Sequence, residues 1–274
     1  MTPRLGLLRH TGTALCAALI AVLLLAAAFP GLFGDTDPLR SSMPESLQAP
    51  GTRHWFGTDL LGRDVFARVV HGARYSLLLG VAAMLISLVL GLLSGVLAGL
   101  SGRAADEAVA RVLDVVSAFP GVLLAMLVVV FTGPGVLNIA VAIGISGVPK
   151  FARVIRAQTR AVKDAGYVTH AVVQGRGRGW ILARHIAPNV LVAIPVIATI
   201  DIGTSIVAVS GLSFLGLGPQ PPVPEWGVML SEGRDILRTA WWAGLFPGLA
   251  MTATVIAFTV VGRKLQLLLE GRTS

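Results

Sequence analysis

Five long tracts of this chain contain no Asp, Glu, Lys or Arg, and they constrain its fold more than any other feature. A helix that spans a membrane needs about 20 consecutive apolar residues, because the hydrocarbon core is about 30 Å thick. Only 13% of the 274 residues are charged, far fewer than a soluble surface requires. The sequence therefore predicts an all-α integral membrane protein. The uncharged tracts are residues 11–34, 76–102, 115–149, 202–224 and 239–262.

The lengths of these tracts give the number of spans. The third tract is too long for one helix of about 1.5 Å rise per residue, and the turn-forming sequence at 132–135 divides it in two. The fifth helix begins near Asn189 and carries Asp201 inside it. Six transmembrane helices are predicted, near residues 12–32, 76–100, 109–131, 135–156, 189–213 and 241–262.

Lys and Arg are distributed unequally between the loops on the two sides. With the N-terminus inside, the cytoplasmic segments hold 15 of the 22 Lys and Arg residues and the outer segments hold 7. Cytoplasmic loops are enriched in these residues, so both termini are predicted to be cytoplasmic. Arg4 and Arg9 before the first span also resemble the start of a signal peptide. The long apolar run and the spans that follow favour a retained anchor.

Several functional classes lack the residues they need. Basic cytoplasmic loops explain the net charge of +8, so nucleic-acid binding is not predicted. Cys16 is the one cysteine, and the five histidines show no ligand spacing, so no disulfide or metal site is expected. The Gly-Arg sequence at 175–179 lacks the Lys-Ser/Thr ending of a phosphate loop. Without a catalytic constellation, any energy source is a gradient or another subunit.

Asp201 is the one acid deep inside a predicted span, with Thr204 and Ser205 one turn further on. Polar groups in membrane helices usually mark a translocation pathway, so these three residues are the candidate pathway site, suited to a cation or an amine. Two alternatives stay open. Asp201 pairs with a basic group, or it bonds to hydroxyl groups of a neighbouring helix.

The densest group of charges lies between Lys150 and His185, where eight basic residues occur with one acid, Asp164. Inside this basic segment, the sequence from Tyr167 to Gln174 predicts a short helix ended by Gly175. A rigid helical segment is more than a topology signal requires. The segment is therefore also a candidate docking surface for a soluble partner.

Three further features concern packing and loops. Apolar residues at helical spacing in 66–73 are typical of a helix along the membrane interface, or of an amphipathic lead-in to the second span. Gly91, Gly95 and Gly99 form a small-residue face suited to close helix packing. The proline-rich loop at 216–227 either covers a pathway mouth, receives a partner or simply links two spans.

Three groups of residues, in this order, resemble the permeases of ATP-binding cassette (ABC) importers. The stretch 54–80, with its Gly-Thr-Asp, Gly-Arg-Asp and Gly-Ala-Arg sequences, resembles the dipeptide, oligopeptide and nickel subfamily. Residues 167–189 resemble the cytoplasmic EAA loop of these permeases. The third match is Leu-Ser-Phe-Leu-Gly at 212–216 with the Pro-Pro and Trp-Gly pairs that follow. The chain is most similar to the second of the two permeases in such systems.

This resemblance implies the type I ABC importer permease fold and import of dipeptides or oligopeptides by alternating access, with nickel or a metal chelate as the alternative cargo. The implied partners are a second permease subunit, two cytoplasmic ATPase subunits, an extracytoplasmic substrate-binding protein and membrane lipid. The chain would bind no cofactor, because ATP and Mg would lie on the ATPases. It would be a multi-pass protein of the bacterial cytoplasmic membrane.

The resemblance also assigns regions and residues. Residues 1–75 would form the tail, the first helix and an outer loop with an interfacial helix. Residues 76–274 would form a five-helix core, with the coupling loop near 157–188. The residues carried over as ATPase-coupling are Tyr167, Val168, Thr169, His170, Ala171, the turn residue Gly175, and Arg184, His185, Pro188 and Asn189 at the start of span five.

In the family, Glu-Ala-Ala usually stands where this chain has Thr169, His170 and Ala171, so the acid is missing here. From the residues alone, two functions of other classes remain open. One is a gradient-driven secondary transporter that uses Asp201 as its ionisable group. The other is a structural membrane scaffold.

Overall fold

A computed structural model describes the backbone of residues 3–269 and the side chains of residues 11–269. The regular structure of this part is helical, apart from an isolated β-bridge between Thr58 and Asp64. A π-helical segment, Leu182–Ile186, joins α7 to α8. The α-helices of the described part are α1 Pro3–Ala28, α2 Val65–Leu100, α3 Arg103–Ala118, α4 Gly121–Thr132, α5 Val136–Lys163, α6 Gly166–Val173, α7 Arg178–Ile181, α8 Ala187–Leu191, α9 Ile194–Phe214, α10 Trp226–Arg234 and α11 Trp242–Leu269.

Five of the described helices are long and apolar enough to cross a membrane, namely α1, α2, α5, α9 and α11. The pair α3 and α4 makes a sixth crossing if it is counted as one broken span. The predicted all-α membrane architecture is confirmed, and the order of the spans follows the prediction. The helices α1, α5 and α11 begin or end up to nine residues from the predicted bounds, and the second, third and fifth spans differ in ways that affect the architecture.

The third span is not the single helix predicted at 109–131. The chain bends by 89° between α3 and α4. Phe119 takes an extended conformation, with φ −88° and ψ 136°, because Pro120 follows it and disfavours helical geometry in the preceding residue. The turn at 132–135 is the break predicted in this tract, and the break at Pro120 is a second one that was not predicted.

The second span begins earlier than predicted. Helix α2 runs without interruption for 36 residues, about 54 Å at 1.5 Å per residue. Its N-terminus is capped by the Asp64 carboxylate, which accepts a hydrogen bond from the Ala67 backbone N–H at 2.8 Å. Residues 65–75 are therefore the first turns of α2 and not a separate interfacial helix, so the predicted boundary at 75/76 falls inside a helix.

The fifth span begins later than predicted. Helix α8 ends at Leu191, and α9 starts at Ile194 after a two-residue turn. Pro195 lies in the first turn of α9, where a missing N–H costs no helical hydrogen bond. Helix α9 ends at Phe214, and Asp201 lies within it as predicted.

Helices α2 and α5 pack along their lengths, and the predicted glycine face of α2 makes this possible. A Cβ added at Gly91 would lie 2.5 Å from Phe151 Cβ, and one added at Gly95 would lie 2.7 Å from the Ala152 carbonyl oxygen. A Cβ added at Gly99 would lie 2.6 Å from Thr159 Cβ. The two backbones approach so closely that no side chain fits between them.

The bundle has two distinct ends. One end holds α6, α7 and α8 together with the last turns of α2 and α5, and we call it the α6 end. The other end holds α10, the loop at 42–64 and the first turns of α2 and α11, and we call it the α10 end. A buried cluster lies under each end, with Phe151, Ile155 and Val168 at the α6 end and Trp226 and Trp242 at the α10 end.

Candidate functional site

The membrane part of the bundle contains an ion pair between α5 and α9. Lys150 Nζ lies 2.6 Å from Asp201 Oδ1. The Asp201 side chain is 8% exposed, whereas that of Lys150 is 45% exposed. The hydroxyls of Thr204 and Ser205 donate to the two carboxylate oxygens at 3.3 Å. The alternative in which Asp201 pairs with a basic group is thus confirmed.

The structure brings the predicted pathway residues Asp201, Thr204 and Ser205 together and adds Lys150 to the site. Ser205 is buried, while Thr204 is exposed on the surface of the bundle. Lys150 was predicted only as one of the charges of the basic segment. It also lies inside the predicted span 135–156, where an ionisable residue normally has a partner. Its position in that span was therefore a sequence signal for a charged partner.

Helix α6 has a buried face and an exposed face. Val168 and Ala171 are 4% and 6% exposed and pack into the cluster under the α6 end. The exposed residues are Tyr167, Thr169, His170, Val172 and Val173. Two of the five helix residues predicted to meet a partner therefore point into this chain. Val172 and Val173, which were not predicted as contact residues, are exposed instead and form part of the accessible surface.

The segment after α6 is held by aromatic contacts. The His185 ring lies between two others, with its centroid 5.5 Å from that of Tyr167 and 5.1 Å from that of Trp180. The Arg176 guanidinium lies over the Trp180 ring at 4.8 Å. Asn189 Nδ2 donates to the His185 carbonyl at 2.6 Å. Of the other residues predicted here, Arg184 and Pro188 are exposed.

Gly175 ends α6 in the left-handed region, with φ +75°. This conformation is the one in which glycine is favoured over other residues. The predicted helix at 167–174 and its glycine stop are therefore confirmed as structure. Together with the aromatic contacts, they make the basic segment an ordered surface.

Helix α3 is fixed to α5 by ion pairs near the α6 end. Asp106 is 3% exposed and accepts hydrogen bonds from Arg156 Nε at 2.5 Å and from Arg156 Nη2 at 2.7 Å. Arg160 contacts the same carboxylate. A second pair, between Arg153 Nη2 and Asp114 Oδ1 at 3.0 Å, is exposed. Three of the basic residues counted for orientation thus hold the bent helix pair in place.

The α10 end holds a buried network of charges. Asp59 Oδ2 accepts from Arg63 Nε at 2.7 Å and from Arg68 Nη1 at 2.6 Å. Both arginines also reach Glu232, at 3.0 Å and 2.8 Å. The network ties the loop before α2 to α10, beside a cavity of about 270 Å³. The Gly-Thr-Asp and Gly-Arg-Asp sequences therefore have a structural basis in this fold.

A second buried acid lies nearby. Glu225 is fully buried, and its carboxylate accepts hydrogen bonds from Ser210 at 2.8 Å, Ser76 at 3.2 Å and the Val228 backbone N–H at 3.0 Å. It caps α10 and joins this helix to α2 and α9. Among the residues that the structure describes, no three His, Cys, Asp or Glu side chains converge as they would around a metal ion.

The described part of the chain is thus a membrane helix bundle with an internal ion pair and an ordered basic surface at one end. Residues 87–274 match the family of binding-protein-dependent transport system inner membrane components. The chain belongs to this family. It is therefore a transport subunit of the bacterial inner membrane and not an enzyme.

Curated relatives cover most of the chain. The dipeptide transport system permease protein DppC of Alkalihalophilus pseudofirmus is 40% identical over 244 residues, which are 89% of this chain and 80% of that protein. The glutathione transport system permease protein GsiD of Pectobacterium atrosepticum is 43% identical over 215 residues, 78% of this chain and 71% of that protein.

Solved structures show a similar fold. An inward-facing form of the MetNI methionine ABC transporter matches with a TM-score of 0.60 at 16% identity, over 76% of this chain and 97% of that one. An amino acid ABC transporter with histidines matches with a TM-score of 0.57 at 19% identity, over 76% of this chain and 95% of that one. At these identities the comparison concerns the fold alone.

Proposed function

We propose that this chain is one of two permease subunits of an ATP-driven importer of short peptides. The observation that carries this proposal is its identity of about 40% to permeases of dipeptide and glutathione transport over most of the chain. Both of those relatives are named for small peptides. Charge in the membrane part is confined to few sites, and one of them, the Lys150–Asp201 pair, suits a polar cargo.

The partners follow from the family. They are a second permease, two cytoplasmic ATPases that carry ATP and Mg, and an extracytoplasmic substrate-binding protein. This chain binds no cofactor of its own. The α6 end faces the cytoplasm with both termini, and the α10 end faces the binding protein. The excess of Lys and Arg in the loops of the α6 end supports this orientation.

The exposed face of α6 docks on an ATPase. Val172 and Val173 are 57% and 79% exposed at the end of a membrane protein that faces water, where apolar side chains mark a partner surface. The aromatic contacts of His185 make the segment rigid enough to transmit a movement. ATP closure of the ATPases would then turn the helix bundle by rigid-body rotation and open the pathway outward.

The pathway runs along the face of α9 that carries Thr204. Asp201 and Ser205 support this face from inside the bundle, and Lys150 reaches it from α5. An exposed ammonium in a membrane helix requires water or protein beside it. A pathway between this chain and the second permease supplies both.

A charge change at Gly175 tests the proposal. We expect Gly175→Asp to abolish dipeptide uptake at a normal membrane level of the complex, because it places a carboxylate beside the docking face. Gly175→Asn is the matched control, since Asn has nearly the same size and also tolerates a positive φ. Uptake of a radiolabelled dipeptide is measured in a host strain that lacks this chain and expresses each variant.

The same assay separates the other function classes. Normal uptake by Gly175→Asp would show that this segment does not couple the chain to an ATPase. Uptake that persists when the ATPase genes are deleted would indicate a gradient-driven transporter. Uptake of nickel instead of dipeptide would reassign the cargo.

A further inference from the structure

The ion pair between Lys150 and Asp201 joins two helices, α5 and α9, that are each long and apolar enough to cross a membrane. Lys150 stands about 21 Å along α5 from Val136, and Asp201 about 10 Å along α9 from Ile194, at 1.5 Å per residue. The direct contact between their side chains puts both residues at the same level of the bundle. A charge within a membrane-spanning helix is costly and usually functional.

Lys150 is directed differently from the next cations of its helix. Arg153 and Arg156, one and two turns further on, contact Asp114 and Asp106 of α3. Lys150 alone of these three turns to α9. Its side chain remains 45% exposed while its Nζ contacts a carboxylate that is 8% exposed. The ammonium thus stands at the surface of the bundle, with its counterion just beneath.

The Asp201 carboxylate is held in place independently of the lysine. Ser205 donates to Oδ2 at 3.3 Å, whereas the Thr204 hydroxyl, 3.3 Å from Oδ1, lies closer to the Asp201 backbone carbonyl, at 3.0 Å. The lysine, by contrast, has a flexible stem and, within the described part of the chain, makes its polar contact with Asp201 alone. The pair can therefore open by movement of Lys150, and the acid would keep its position.

We propose that this pair is a binding site for the two charged termini of a short peptide in transit. The peptide carboxylate binds the Lys150 ammonium, and the peptide ammonium binds the Asp201 carboxylate. The inference rests on the proposed function, because it takes the cargo to be a peptide. The inference adds that the pathway itself selects for a zwitterion, namely a peptide whose amino and carboxyl termini are both unblocked and charged.

Charge balance gives the reason. Breaking a poorly solvated ion pair is strongly unfavourable when one partner is left without a counterion. A ligand with a single charge leaves one member of the pair uncompensated, and a neutral ligand leaves both. A zwitterion gives each member a new counterion, so the pair exchanges partners without an unpaired charge. The two termini of an extended dipeptide are about 7 Å apart. Lys150 would therefore have to move away from Asp201 until the ammonium and the carboxylate are separated by a similar distance.

Protection of a cysteine tests this site directly. Val207→Cys places a thiol on the exposed face of α9 one turn beyond Thr204, in a chain whose one cysteine, Cys16, is changed to Ser. The complex purified through this chain is placed in lipid nanodiscs without binding protein and treated with a charged, membrane-impermeant thiosulfonate. Modification of this chain is followed by mass spectrometry, with Thr239→Cys, exposed at the α10 end, as the control position.

We expect Ala-Ala at tenfold its dissociation constant to slow modification of the Val207→Cys variant about tenfold, and to leave the Thr239→Cys variant unaffected. N-acetyl-Ala-Ala amide, which has neither charge, should not protect at the same concentration. Lys150→Met with Asp201→Asn removes both charges without leaving one unpaired, and it should abolish protection by Ala-Ala.

Three results would overturn the proposal. They are equal protection by the blocked peptide, protection that survives the double substitution, and absence of any protection by Ala-Ala. Each is distinct from failure of the proposed function, which is read separately as loss of dipeptide uptake by the complete wild-type importer.

Discussion

Arg68 Nη1 lies 2.6 Å from Asp59 Oδ2, and the two side chains are 2% and 7% exposed. This contact closes the network in which two arginines share Asp59 and Glu232. It connects the first turn of α2 to the loop that precedes it, and through Glu232 to α10. Phe56 of this loop also stacks on Phe246 of α11, with ring centroids 3.9 Å apart, so apolar contacts and buried ion pairs together hold the loop to the bundle.

Removing Arg68 should destabilise the α10 end. Arg68→Met leaves Asp59 and Glu232 each without one partner, and breaking a buried pair in this way costs about 3–5 kcal/mol. We expect a clearly lower thermal midpoint of the purified complex, measured by fluorescence-detected size-exclusion chromatography. Arg53→Met is the control, because Arg53 pairs with Glu45 at a side-chain exposure of 78%. An equal loss in both variants would contradict the structural role of the buried network.

The glycine face of α2 should not tolerate a side chain. Gly95→Leu forces atoms into the Ala152 carbonyl oxygen, which an added Cβ would approach to 2.7 Å. Overpacking of this kind costs about 1–3 kcal/mol and separates α2 from α5. The same thermal assay applies, with Gly12→Ala as control, since no atom lies within 4 Å of a Cβ at that position. A Gly95→Leu complex as stable as the wild type would mean that the helices are not in this contact.

The amino-acid pattern predicted these features unequally. The glycine face and the stop at Gly175 were predictable, because spacing and backbone conformation are local properties. The bend at Phe119 was predictable in principle from Pro120. It was not predicted, because Pro120 lies inside a continuous uncharged tract that favours a membrane-spanning helix. Partners such as Asp201 for Lys150, which lie 51 positions apart, depend on how the helices pack. The positions of Lys150 and Asp201 inside predicted spans indicate that each has a partner, but the hydrophobic pattern does not say which residue that partner is.

The bent pair α3–α4 should depend on Asp106. Asp106→Asn removes the charge that two arginines of α5 share, while an amide of equal size remains. Hydrogen bonds to charged groups contribute about 1.5–3 kcal/mol each, so α3 should open more often. We expect faster amide hydrogen exchange in residues 103–118 with little change in α9. Glu107→Gln serves as control, because its pair with Arg103 is exposed at 62% and 94% and should contribute little.

The two faces of α6 should respond differently to substitution. Ala171 is 6% exposed, and Ala171→Leu overfills the cluster beneath the helix, so it should lower the thermal midpoint of the complex. Val173 is 79% exposed, and Val173→Asp changes no packing within the chain, so the thermal midpoint of the chain by itself should stay constant.

If this surface docks on an ATPase, Val173→Asp should nevertheless reduce recovery of the ATPase with the tagged permease. A carboxylate buried in an apolar contact loses hydration without a counterion, which disfavours association. Val173→Ile is the matched control, because it keeps the apolar surface and the β-branched shape. Recovery is measured by quantitative mass spectrometry of the purified complex. Unchanged recovery with Val173→Asp, alongside normal dipeptide uptake, would move the coupling contact away from α6, and the buried positions Val168 and Ala171 would then have only a packing role.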